Sequence, residues 1–276
     1  MDPGAHEITE HDPAQPGGCG LASGYAALFL GWYVGVSALV GWIAGYDFVT
    51  SAAGLSVLVI SVGLGGVWIG DRLRRALSWT PVESWALTGR PGARIQAAAA
   101  LGGLSLGVLG GWFAERLGPP LKEALHWPAG NDALSTLGGA LTDGPVAGRL
   151  LFMVVVVLIG PLFEELIFRG ILWRTLQKRG AVITVLGTSL AFALYHADPT
   201  QVIGVLPLAL FLGVLRQASG SLLPCLLAHA VNNGLATLLA LTAGMDTPTP
   251  GPLAAFAAVV ATIAFGLAAW GGRRAS

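Results

Sequence analysis

Long apolar runs, each close to twenty residues and separated by short polar or Gly- and Pro-rich breaks, organise the whole chain. They lie at about 22–45, 51–70, 94–114, 148–170, 181–197, 201–216, 221–242 and 252–270, and carry few charges. A helix rises about 1.5 Å per residue and the hydrocarbon layer is about 30 Å thick, so this is the length that crosses a bilayer. The pattern predicts an all-α, polytopic membrane protein with about eight transmembrane helices. Gly and Pro fall inside several runs, which membrane helices tolerate better than soluble ones do. Gly102-Gly103 and Gly110-Gly111 read as sites of close helix packing, not as phosphate loops.

Composition supports this. The 276 residues are 54% hydrophobic and 11% charged, with a mean hydropathy of +0.70, whereas a soluble domain carries about 25% charged residues. Lipid must serve as part of the solvent. Formal net charge is zero and there is no long basic run, so nothing points to nucleic acid. Cys19 and Cys225 are too far apart to suggest a disulfide framework. The 13 Arg against 2 Lys, with abundant Ala and Gly, suggest a GC-rich bacterial source. The first twenty residues hold four acids and no Lys or Arg, unlike the basic start of a secretory signal, so Leu21 onward is expected to open a retained span.

Eight spans put the termini and the even-numbered loops on one side. That side collects 11 cations (Arg72, Arg74, Arg75, Arg90, Arg94, Arg174, Lys178, Arg179, Arg216, Arg273 and Arg274), against Arg116, Lys122 and Arg149 on the other. The bias predicts both termini in the cytoplasm of a plasma membrane. The chain then divides into a polar tail (1–20), three N-terminal spans with their loops (21–147), a core rich in candidate chemistry (148–242), and a last span with a short basic tail (243–276). Residues 71–93, with Trp79 and Trp85, suit the headgroup layer, and 115–147 is expected as an exterior loop. Trp32, Trp42, Trp112 and Trp127 read as interfacial anchors. His6, His11 and His126 fall outside the spans.

Polar residues inside spans need a partner, a cavity or a function. Span four contains Glu164, Glu165 and Arg169; span five contains Phe192 and His196; span seven contains His229 and Asn233. Counting from the expected cytoplasmic ends, Glu164, His196 and His229 lie about 20, 22 and 15 Å deep, so three distant segments place polar groups in one layer. Residues four apart share a helix face. Glu165 can therefore pair with Arg169, His229 and Asn233 point into one space, and Phe192 packs as a floor one turn from His196. Pro161 is expected to free a carbonyl one turn earlier and kink span four. The turn Ala197-Asp198-Pro199-Thr200 closes a short hairpin that ends below the outer surface.

A carboxylate facing an imidazole can take a proton from water and return it to a leaving amine. A second imidazole with a carboxamide can donate to an oxyanion. Glu164, His196, His229 and Asn233 supply that set, which fits peptide hydrolysis by activated water. Cys225, one turn from His229, is a less favoured nucleophile and reads better as a packing residue.

The motifs Glu164-Glu165-x-x-x-Arg169, Phe192-x-x-x-His196 and His229-x-x-x-Asn233 resemble those of the CPBP family, the CaaX-protease and bacteriocin-processing (Abi) group. The resemblance covers about residues 148–240. It implies an eight-helix core like that of the CaaX prenyl endopeptidases, Glu164 and His196 activating the water, and His229 with Asn233 as the oxyanion hole. Glu165 and Arg169 then act as supporting structure. The family is often labelled metalloprotease, but the CaaX branch looks more like a metal-independent glutamate protease. No required metal is expected; zinc on Glu164, His196 and His229 is the alternative, without HExxH spacing to support it. The expected partners are the bilayer and a peptide or membrane-protein substrate, prenylated or not. Two other readings stand beside this one. One is a proton- or ion-coupled transporter using the same groups as a relay, although the halves show no repeat. The other is a non-catalytic scaffold or immunity protein, in which His229 and Asn233 make only interhelical hydrogen bonds.

Overall fold

A computed structural model describes residues 19–45, 50–87, 91–128, 133–242 and 248–272. Most of the expected polar N-terminal tail, with His6 and His11, lies outside the described residues, as do Arg90, Arg273 and Arg274. The described residues are helical, with no strand among them: α1 (Cys19–Ala44), α2 (Ala52–Ala76), α3 (Pro81–Trp85), α4 (Ala93–Ala124), α5 (Ala133–Thr142), α6 (Val146–Arg179), α7 (Ala181–Tyr195), α8 (Pro199–Ser219), α9 (Leu223–Thr242) and α10 (Gly251–Gly272). Seven are long and apolar enough to cross a bilayer, and α7, at 15 residues, is an eighth, shorter apolar helix. Its rise of about 22 Å falls short of the hydrocarbon thickness, so its end and His196 sit below one surface.

The outside of the molecule is apolar. Trp42, Val182, Ile43 and Phe256 are each at least two-thirds exposed, while Glu165 and Arg169 are fully buried. That inversion needs lipid around it, and the chain is an integral membrane protein.

Close approach of α4 to its neighbours holds the bundle together. A Cβ on Gly102 would overlap the Phe211 ring of α8, and one on Gly110 would overlap the Gly204 carbonyl. Small residues let membrane helices pack at this distance. Around them Ala98, Leu106, Leu208, Phe211, Cys225 and Ala264 form one apolar cluster. Tyr25, Phe29, Val62, Ile167, Phe168, Phe192 and Ala209 form a second. The clusters adjoin at Leu208–Ala209, where the buried polar side chains of Arg169 and Ser189 reach the Ala209 carbonyl.

Three expectations are corrected. The exterior loop 115–147 is largely helical: α4 runs to Ala124 through Pro119 and Pro120, and α5 follows. The prolines would clash with the carbonyls of Glu115 and Arg116, but those residues are exposed, and the last turn has room to adjust. Span four runs nine residues beyond 170, because Trp173, Thr175 and Leu176 are still buried. Trp32 sits mid-helix rather than at an interface, its Nε1 donating to the Ser61 carbonyl of α2 (3.2 Å).

Candidate active site

α6 is irregular where it carries the glutamates. Its turns widen over Val155–Ile159 and again over Leu166–Leu172, with a regular stretch Gly160–Glu165 between. Widened turns of this kind gather at functional sites. Within the first, the Gly160 N–H bonds to the Val155 carbonyl. Pro161, next in line, has no N–H to give to Val156. The carbonyl it leaves open accepts Nδ2 of Asn233 from α9 at 2.9 Å, as a buried backbone acceptor requires a partner. Asn233 Oδ1 in turn accepts from Asn232 Nδ2 (3.0 Å).

The buried side of the site is a charge network. Glu165 Oε1 receives Arg169 Nη1 at 3.3 Å and His229 Nδ1 at 2.9 Å. Arg169 Nη2 donates to the Ala209 carbonyl of α8 (2.9 Å), which also accepts from Ser189 Oγ (2.8 Å). The Arg169 guanidinium lies 4.4 Å above the Phe192 ring. Edges and faces of Phe192 meet both His196 and His229, with centroids 5.0 and 5.5 Å apart. Phe192 therefore fixes three polar groups from beneath.

The open side faces away from this network. Glu164 is 20% exposed and its Oε2 lies 3.5 Å from His229 Nε2. His196 Nδ1 is 3.0 Å from the Phe192 carbonyl. A carbonyl only accepts, so Nδ1 carries the hydrogen and the neutral ring keeps a lone pair on Nε2. Glu164 is near enough to act on His196 electrostatically. The structure thus gathers Glu164, Glu165, Arg169, Phe192, His196 and His229 into one connected cluster, with Asn233 one turn further along α9. Cys225 stands apart: it is fully buried and its thiol donates to the Leu212 carbonyl (3.3 Å).

Among the described residues no three His, Cys, Asp or Glu side chains are disposed to hold a metal ion, and His229 already spans the two glutamates.

The family model "Type II CAAX prenyl endopeptidase Rce1-like" matches residues 146–235. These residues form a CPBP-family domain of the Rce1-like type. The domain begins with α6 and ends in α9, so it contains every residue of the cluster, and it belongs to a family of membrane peptide hydrolases. No curated protein and no solved structure matches the chain.

Several contributors to the Rce1-like domain escape the motif pattern. Ser189 shares a face with Phe192 and His196, at three and seven residues' spacing, yet it looks like any small residue in an apolar run. Tyr195 packs its ring against Phe29 and Tyr33 (5.7 and 5.5 Å), so α1 walls the site. Arg216, counted above with the loop cations, is 8% exposed in the last turn of α8 and donates through Nε to the Arg169 carbonyl (3.1 Å). Its position directly after the apolar run Phe211–Leu215 is the only hint of this in the sequence.

Proposed function

We propose that the Rce1-like domain is an intramembrane endopeptidase in which Glu164 and His196 activate water, and His229 and Asn233 hold the oxyanion, without a required metal. The observation that carries this reading is the 3.5 Å approach of Glu164 Oε2 to His229 Nε2, on the partly open side of the cluster and beside His196. A base and a donor from separate helices face a common space. Water placed there loses a proton to Glu164, assisted by the Nε2 lone pair of His196, as its oxygen attacks the peptide carbonyl carbon. The carbonyl oxygen becomes an oxyanion, bonded by His229 Nε2–H and by the Asn233 amide hydrogen not used on Val156. As the C–N bond breaks, the proton passes from Glu164 to the leaving amine. General-base catalysis of this kind contributes about 10²–10⁴-fold, and an oxyanion donor about 10²–10³-fold.

Glu165 and Arg169 act as positioning residues. Glu165 orients the His229 ring through Nδ1, and Arg169 pairs with Glu165. Buried charges are tolerable only when balanced in this way. The substrate is a peptide or membrane-protein segment, prenylated or not. We also place both termini in the cytoplasm of a bacterial cell, on the strength of the cation bias.

The test uses purified protein in detergent with prenylated and unprenylated peptides. Cleavage should fall at least about 100-fold in Glu164→Ala and His196→Ala, and persist in Cys225→Ala and after exhaustive chelation. Proton or solute flux in liposomes with no cleavage by the wild type would point to transport instead.

A further inference from the structure

Arg216 is a buried cation with no counter-charge among the described residues. It is 8% exposed, and among the described residues its one hydrogen bond runs from Nε to the backbone carbonyl of Arg169. No carboxylate among them pairs with it. A charge withdrawn from water this far is costly unless something neutralises it.

Arg216 lines a hollow of about 300 Å³ together with Trp173, Gln177, Thr184, Gln217 and Gly220. With Nε committed to Arg169, its two terminal nitrogens are what it offers there. The Trp173 ring, 5.5 Å from the guanidinium carbon, braces it from one side. Gln177 and Gln217 bring amide donors to the mouth, and among the described residues no acidic one lines the space. The backbone shapes the hollow: Gly180 (φ +95°) reverses the chain between α6 and α7 in one residue, and Gly220 (φ +66°) ends α8. All of this lies at the ends of α6 and α8 and the start of α7, beside Arg174, Lys178 and Arg179, in the layer that headgroups occupy around a spanning helix.

We infer that this hollow is a binding site for a phosphate group, as presented by an anionic phospholipid headgroup, with Arg216 as its fixed charge. A guanidinium meets phosphate through two parallel N–H bonds, and basic pockets between helices at the headgroup layer suit anionic lipid. The site is separate from the proposed peptidase chemistry and does not depend on it. Its link to that chemistry is structural: Arg216 holds the backbone of Arg169, whose side chain holds Glu165.

The test titrates delipidated full-length protein in neutral detergent, at constant ionic strength, with short-chain phosphatidylglycerol, a short-chain glycolipid lacking phosphate, and sodium phosphate. Thermal unfolding by tryptophan fluorescence and retained ligand by native mass spectrometry are read together. Phosphatidylglycerol should bind and raise Tm, with the glycolipid about tenfold weaker or more, as loss of charge-assisted bonds implies. Arg216→Gln should lose the difference. Gln177→Glu, at an exposed position that leaves the fold intact, should weaken it by placing a carboxylate at the mouth. Stabilisation by phosphatidylglycerol alone identifies a headgroup site, and stabilisation by inorganic phosphate as well identifies a site for the free ion. Equal binding of glycolipid and phosphatidylglycerol, no binding by the wild type, or undiminished binding in Gln177→Glu would overturn the inference.

Discussion

Glu164 and Glu165 are neighbours in the chain with opposite surroundings. Glu165 is fully buried between Arg169 and His229, while Glu164 stands at the open edge. Removing one member of a buried ion pair strands the other, at a cost of about 3–5 kcal/mol. Arg169→Met should therefore lower thermal stability by about that amount in detergent melts, and Glu165→Met combined with Arg169→Leu should recover most of it, since an apolar pair leaves no orphaned charge. An Arg169→Met protein as stable as the wild type would show the network to be dispensable. The Glu165–Arg169 pair was legible from the sequence, because four-residue spacing on a helix is local geometry. The Glu165–His229 bond was not: it joins residues 64 apart and depends on how two helices rotate against each other. Asn233 had a similar ambiguity. Its bond to Val156 depends on a widened turn ahead of Pro161 that no residue pattern specifies.

At the scale of elements, the α7–α8 corner controls where His196 stands. His196 caps the end of α7, and Ala197 follows at φ +54°, a conformation that costs a residue with a Cβ about 1–2 kcal/mol. Asp198 holds the corner by capping α8 through Thr200 N and Gln201 N (2.9 and 3.1 Å) and by pairing with Lys122 of α4 at 3.0 Å. Ala197→Gly should relieve the strain and raise stability by about 1 kcal/mol with cleavage retained. Asp198→Ala should cost about 0.5–2 kcal/mol through the lost cap and depress kcat with KM little changed, because His196 loses its mooring. Unchanged kcat in Asp198→Ala would separate the corner from the chemistry. Ala197-Asp198-Pro199-Thr200 was readable as a turn from Asp-Pro alone. The extra length of α4 and α6 was not, since hydropathy ends a span where polarity begins, while backbone bonding and burial carry the helix further.

Across the whole molecule, hydropathy was enough to read the architecture, because a bilayer demands long apolar helices and almost nothing else. The same simplicity hid Arg216, whose burial is a tertiary fact in a region where cations normally mark loops. It also hid the contribution of the N-terminal half: Phe29 and Tyr33 wall the site through Tyr195 without any motif of their own. If the membrane-embedded cluster cuts peptide bonds as proposed, substrates in their native membrane must carry the cuts. The measurement compares newly formed protein termini in membranes carrying the intact protein with those carrying Glu164→Gln at equal abundance. A defined set of termini present with the intact protein and absent with Glu164→Gln is the predicted result; identical sets of termini from the two membranes would contradict it.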